Sequence, residues 1–277
     1  MIPVWASPGV ARPVSVQMTA AMSSLAGRVV AARAAAGALT VVGGDGWCGD
    51  AHAALDAGAR GIFALHPRGV GASDLEALRS AAGTRPVFVE RHRSPRSFVA
   101  RVAELLAAPP LSATLPSLID VAVSAPRNDL VDALADAVGW AATLSGTADL
   151  RPMRQTVTDH GAIGLLSASS ADGAPGVAVT VSATVLAAGV GTGVLRATSL
   201  APARLEVEID LDAGTRTATV VDELGAVAAA PSFEDPVRAA LRHALDRLDA
   251  GQGADDLDAL RRDRACADAL LARATSS

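Results

Sequence analysis

Residues 51–67, AHAALDAGARGIFALHP, restrict the fold more than any other part of the chain. AHAALDAG forms an apolar helix that Gly58 ends, Gly61-Ile62-Phe63-Ala64-Leu65 forms a buried strand, and His66-Pro67 stops it. A helix joined so closely to a continuous apolar strand calls for a parallel sheet with helices on its faces. The flanks repeat the alternation. Leu39-Thr40-Val41-Val42 is a short strand ending in Gly43-Gly44-Asp45-Gly46, and Pro86–Glu90 is a strand. Between them Asp74–Ala82 is expected as a helix, with Ser73 as N-cap and Glu76 at the capping-box position. Ahead of these, residues 1–13 are expected to be extended and Val14–Met18 to be the first strand. A helix from Thr19 to Ala36 follows, with Met22, Leu25, Val29 and Val30 at helical spacing and Gly37 as its cap.

Residues 95–150 read as mostly helical. Phe98, Val102, Leu105 and Leu106 share a face, Pro109-Pro110 breaks the helix, a connector runs to Leu118, and a second helix spans Leu130–Leu144 up to Gly146. Beyond residue 150 the period changes to two. Val177–Thr184 alternates valine with small residues, and Leu205, Val207, Ile209 and Leu211 oppose Glu206, Glu208 and Asp210. Asp212–Thr215 is a turn that returns the chain through Arg216–Val221, so this half holds an antiparallel sheet. Two helices, Asp235–Ala250 and Ala254–Arg273, close the chain.

The segment 51–67 resembles the helix-strand unit of the glucose-fructose oxidoreductase / inositol 2-dehydrogenase (Gfo/Idh/MocA) family. There a histidine precedes a helix ending in Ala-Leu-x-Ala-Gly, and a strand closes in Glu-Lys-Pro. Here the triplet is Leu65-His66-Pro67, and the chain contains no lysine. The resemblance extends over roughly residues 38–273. It implies a fold of α/β plus α+β type: a truncated Rossmann-like parallel-sheet domain over residues 1–95, then an open, mainly antiparallel sheet domain with C-terminal helices over residues 96–277. It also implies NAD(P)-dependent chemistry on a sugar or cyclitol, and association through the C-terminal sheet.

Composition narrows the partners. Aromatic residues make up 3% of the chain and there is no tyrosine, so a base-stacking nucleic-acid surface is not expected. The net charge of −5, with arginines scattered among acids, gives no basic footprint. No apolar run reaches the ~20 residues of a membrane span, and the N-terminus lacks the features of a signal peptide. Cys48 and Cys266 are expected as free thiols in a reducing compartment, which makes the cytoplasm the expected location.

The candidate site residues follow from the chemistry the resemblance implies. A dinucleotide needs a glycine-rich turn after the first strand, whose backbone approaches the diphosphate. No G-x-G-x-x-G follows an N-terminal strand, and the adenine-binding half is expected to be largely deleted. Gly43, Gly44, Asp45 and His52 are the cofactor-side candidates, with a tight strand-to-helix turn as the plainer account of 43–46. His66 stands where the family has its proton-handling lysine and can itself act as acid or base. For the family's His-x-x-Asp pair, counting back from Gly139 gives Asp129 and Asp132, and counting from Gly146 gives Asp136 and Gly139. The first register keeps the aspartate and is preferred, so Asp129 joins His66 as a catalytic candidate, against a helix-cap role. Arg91 and His92 are candidates for holding a substrate anion. Asp45, Cys48, Asp50 and His52 match no closed metal site, and no metal is expected.

Three functions stay open. One is a non-catalytic relative that pairs with itself or with an active enzyme and needs no cofactor. The second is a working NAD(P)-dependent oxidoreductase. The third is a sugar- or phosphate-binding module. The first is favoured, because 177–198 reads as strands with apolar or small residues on both faces, a pattern that marks interfaces.

Overall fold

The computed structural model describes residues 1–10, 12–109, 111–113, 116–169, 176–230, 234–253 and 256–272. In chain order the elements begin β1 (Ile2–Ala6), α1 (Arg12–Ser24), β2 (Val29–Ala31), β3 (Leu39–Gly44), α2 (Trp47–Asp56), β4 (Gly61–Pro67), α3 (Ala72–Ala82), β5 (Val87–Glu90) and α4 (Arg96–Ala107). Next come β6 (Leu118–Pro126), α5 (Leu130–Ser145), β7 (Leu150–Thr158), β8 (Gly161–Ala168), β9 (Val177–Leu186), β10 (Val194–Leu200), β11 (Arg204–Asp210), β12 (Thr215–Asp222) and β13 (Gly225–Ala228). Helices α6 (Pro236–Asp249) and α7 (Asp256–Leu271) end the chain. The expected helix ends Ala254 and Arg273, and Pro110 of the expected break, lie outside the described residues.

The chain forms two compact units, one of Met1–Ser97 with Ser232–Arg262 and the other of Phe98–Pro231 with Asp263–Ser277. This grouping differs from a division at 95/96, because residues 232–262 cluster with the N-terminal part. In the first unit five parallel strands run in the order β2-β1-β3-β4-β5. That is the Rossmann order with its outermost strand missing. Alternation along β4 sends Phe63 and Leu65 to one face and Ile62 and Ala64 to the other. Met18 and Ala21 of α1, Leu25 just after it, and Val237, Leu241, Ala244, Leu245 and Leu248 of α6 cover the first face. Trp47, Ala51 and Leu55 of α2, Leu75 and Leu78 of α3, and Leu257 of α7 cover the second. Arg85 ties this second layer together: its guanidinium donates to the carbonyls of Leu55 (2.6 Å) and Ala81 (2.7 Å), at the C-terminal ends of α2 and α3.

The N-terminal expectations need correction. Residues 2–6 form β1, Val14–Met18 lies within α1, and the first helix ends at Ser24 rather than Ala36. Pro13 falls in the first turn of α1, where a missing N–H costs nothing. Met18, Ala21 and Leu25 are buried at helical spacing, while Gly27 (φ 92°) turns the chain so that the β-branched Val29-Val30 pairs with β1. A β1-α1-β2 unit is therefore present, and the expected deletion shrinks to a single outer strand. Helix α3 is capped at Gly71, whose N–H donates to Asp74 Oδ2 (3.4 Å), not at Ser73. Glu76 instead pairs with Arg79 (3.6 Å) and Arg261 (3.3 Å).

The second unit is an eight-stranded sheet in the order β13-β12-β11-β10-β6-β9-β8-β7, antiparallel except for β6 against β9. Ile119, Val121, Val123 and Ala125 of β6 alternate into the core beneath α5, so the expected helical run from 95 to 150 is interrupted by a central strand. Trp140 of α5 meets Phe98 of α4 edge-on, with ring centres 5.8 Å apart. The other face of the sheet is more polar than 177–198 suggested. Thr180, Ser182 and Thr184 of β9 and Arg196 and Thr198 of β10 lie there, with Thr180 donating to Asp120 and Arg196 paired to Glu208 (2.7 Å). Ile163 and Leu165 of β8 add exposed aliphatic surface to it.

Candidate functional site

Parallel α/β sheets bind ligands outside the carboxyl ends of their strands, at the point where successive strands depart in opposite directions. In the first unit that point lies between β1 and β3, which are neighbours in the sheet. Ser7 follows β1 and is buried. Its N–H donates to the Val41 carbonyl (2.9 Å), which fixes the end of β1 against β3. Its hydroxyl donates to Asp50 Oδ2 (2.7 Å) and accepts from the Gly9 N–H (3.3 Å). Asp50 reaches this spot from the first turn of α2, after the turn Gly43-Gly44-Asp45-Gly46, in which Gly44 and Gly46 both take φ 75°. The carboxylate lies directly on Gly9. A Cβ at Gly9 would sit 3.2 Å from Asp50 Cγ and would overlap Oδ2 outright.

One strand further along, Gly44 pairs with Pro67 across a bulge, and the bulge leaves His66 at φ 51°, a left-handed conformation that strains a non-glycine residue. The His66 ring packs on that of His92, with centres 4.5 Å apart and planes 34° apart. His92 follows β5 with Arg91, and Arg93 beside it is buried. Glu90, also buried, accepts from the Arg96 N–H (3.3 Å) at the start of α4. Asp256 of α7 pairs with the Arg96 guanidinium and accepts from the Val89 N–H (3.1 Å).

Of the expected site residues, Gly43, Gly44, Asp45, His66, Arg91 and His92 thus lie at the carboxyl ends of three adjacent strands. His52 lies in the second turn of α2 and is half-buried. Asp129 belongs to the other unit, at the cap position of α5, where its side chain makes no capping hydrogen bond. Asp132 pairs with Arg264, and Asp136 is buried. Helix α5 ends at Gly146 (φ 69°) and Gly139 lies inside it, so the register counted from Gly146 is the one that ends with the helix.

Ser7 and Gly9 escaped sequence reasoning. The signal for them was Ser7-Pro8-Gly9, a turn directly after Ile2–Ala6, and it goes unnoticed unless β1 is recognised. Cys48 offers no thiolate: burial first, and the nearby Asp74 carboxylate second, push its thiol up to about 11. Among the described residues no three His, Cys, Asp or Glu side chains gather to hold a metal ion, and no helix is long and apolar enough to cross a membrane.

No protein-family profile matches the chain, and no curated protein sequence does. Solved structures do. The chain is similar to UDP-N-acetylglucosamine 3-dehydrogenase GnnA from Acidithiobacillus ferrooxidans at 16% identity and a TM-score of 0.67, over 98% of this chain and 96% of that one. It is similar to KijD10, a 3-ketoreductase from Actinomadura kijaniata solved in complex with NADP, at 14% identity and a TM-score of 0.61, over 84% and 76%. A protein from Desulfitobacterium hafniense, provisionally assigned as an NADPH-dependent oxidoreductase, aligns at 14% identity and a TM-score of 0.72, over 98% and 94%.

In a fold of this kind the dinucleotide's diphosphate approaches the backbone of the β1-α1 turn, at a glycine whose missing side chain leaves room. Here the space a Cβ at Gly9 would need already holds the Asp50 carboxylate. By charge and by room, the turn as built does not fit a diphosphate. The shortened parallel sheet, the eight-stranded mixed sheet and the two closing helices together give this chain the fold of the Gfo/Idh/MocA oxidoreductases.

Proposed function

We propose that the chain is a non-catalytic relative of the NAD(P)-dependent sugar oxidoreductases that share its fold, acting through self-association or pairing with an active relative. The observation that carries this reading is the end of β4. The family resemblance places a proton-handling lysine there. This chain has His66, held at φ 51° against the His92 ring, and has no lysine anywhere to take the role. Apart from its five histidines, its basic side chains are all arginines, which stay protonated at any working pH and relay nothing. The open face of the eight-stranded sheet supports the association, since Ile163 and Leu165 stand exposed on it at 63% and 42%. Both cysteines are buried and not disulfide-bonded, in keeping with a reducing compartment such as the cytoplasm.

Two measurements test this reading: light scattering of the protein, alone and co-expressed with an intact relative, and NADPH consumption against nucleotide-linked ketosugars. The expected result is a dimer or a mixed complex and no consumption. A clean monomer in both preparations, or turnover of any sugar, refutes it.

A second reading rests on the complex of KijD10 with NADP. It makes the chain an NAD(P)-dependent sugar oxidoreductase in which the His66 imidazole handles the proton and Arg91 and His92 hold an anionic part of the substrate. Asp129 is the carboxylate candidate of this reading. Under this reading His66→Ala abolishes a measurable turnover of the wild type.

A further inference from the structure

The site at the β1-α1 turn is not merely poor in glycine. It is filled. Ser7 Oγ donates to Asp50 Oδ2 at 2.7 Å, the Gly9 N–H donates to that same hydroxyl at 3.3 Å, and the carboxylate rests on the one glycine of the turn. Ser7 is in turn held by its N–H bond to Val41 of β3, so the donor is fixed to the sheet while the acceptor comes from the first turn of α2. The result is an anion bound in an anion's place, tethered by α2. We infer that Asp50 is a built-in occupant of the diphosphate position, and that this carboxylate keeps dinucleotides out of an otherwise usable turn.

The inference deepens the non-catalytic reading and rests on it. It assigns a cause the sequence did not suggest. The expected reason for weak dinucleotide binding was deletion of the adenine-binding half, yet β1, α1 and β2 are present. Gly9 is also present, at the position where close backbone approach matters. A diphosphate placed there would face a carboxylate at hydrogen-bond range, while Ser7 Oγ would already be engaged. With the carboxylate removed altogether, the same hydroxyl becomes available to a phosphate oxygen.

NADPH fluorescence titrations of four proteins test this. They are the wild type, Asp50→Asn, Asp50→Ala, and Asp56→Asn as a control that removes an equal charge from the exposed end of α2. Asp50→Asn preserves shape and an acceptor for Ser7, and so guards against a result caused by unfolding; Asp50→Ala opens room as well. The expected result is no saturable binding by the wild type or the control at millimolar NADPH. Both Asp50 variants should bind at least about tenfold more tightly, a modest outcome for removing one like charge at close range. This gap should narrow as salt screens the repulsion. If none of the four binds, Asp50 is not the barrier and the inference falls, while the non-catalytic reading stands. If all four bind alike, the inference falls, and the non-catalytic reading falls with it only if the bound NADPH is also consumed against a ketosugar. A gain in Asp56→Asn equal to that in the Asp50 variants also overturns the inference, since it would trace the effect to overall charge.

Discussion

Gly9→Ala tests the contact beneath this account, and its cost can be worked out from the coordinates. The new methyl group would overlap Asp50 Oδ2 and sit 3.4 Å from Oδ1, so the carboxylate has to move. Moving it breaks the hydrogen bond from Ser7 Oγ (2.7 Å), and hydrogen bonds to a charged partner contribute about 1.5–3 kcal/mol. Gly9 is not among the glycines with positive φ, so the backbone accepts alanine. Stiffening the unfolded chain returns about 0.4–1 kcal/mol. The net loss is about 1–2 kcal/mol. In an Asp50→Ala background there is no carboxylate to displace, and the same Gly9→Ala change becomes neutral or stabilising by about 0.4–1 kcal/mol. The two changes are thus coupled, and a double-mutant cycle measures the coupling. Hydrogen exchange at the amides of β1 and β3 reads the stability of this unit by itself. Equal costs for Gly9→Ala in the two backgrounds would refute the reasoning, because they would mean that Asp50 does not occupy the space over Gly9.

Other consequences are simpler to measure. Burial, aided by Arg96 and Arg247, holds the His243 imidazole below its ordinary value near 6.5, so the folded protein keeps the ring neutral. Its contribution to stability is complete above that value and is lost as pH falls through it; urea unfolding between pH 5 and 8 should show a slope there that His243→Gln flattens. Cys48, with its thiol raised to about 11, should alkylate with iodoacetamide far more slowly at pH 8 than a free cysteine, and accelerate only as pH approaches that value. Trp140→Ala should cost about 3–5 kcal/mol in unfolding experiments, since the ring is fully buried between α5 and the sheet and meets Phe98 edge-on.

The parts of the fold legible in the sequence are those whose signal is local. Gly58 ends a helix and Ile62-Phe63-Ala64-Leu65 follows as a strand with both faces covered, so α2 and β4 emerge from composition and punctuation alone. Leu205, Val207 and Ile209 give β11 in the same way, because one of its faces is wet. Strand β1 carries Pro3, a residue that argues against a strand with neighbours on both sides; Pro3 is accommodated because it pairs with Val30 of β2, while the pairing with β3 starts only at Val4. Strand β6 begins at Leu118, where the expected connector stops, and its core-facing Ile119, Val121 and Val123 are interspersed with Asp120, Ser124 and Pro126, which weaken the apolar signal of a strand. Helix α6 was found, but its allegiance was not, because only tertiary packing places Leu241 and Leu245 on the face shared with Phe63 and Leu65.

The site was partly legible for the same reason. His66 and His92 end adjacent strands, and sequence order brought both to one edge. The meeting of Asp50 with Ser7 and Gly9 joins residues about forty positions apart through the β1-β3 pairing, and no spacing rule records it. Asp50 had been weighed only as a metal ligand, beside Cys48, whose protonated thiol is unsuited to that role.

Equilibrium dialysis of the wild-type protein against labelled NADPH bears most directly on the claim that the fold persists without its dinucleotide. The account predicts label at equal concentration on both sides of the membrane at millimolar NADPH. Retention of one equivalent per chain on the protein side would contradict it.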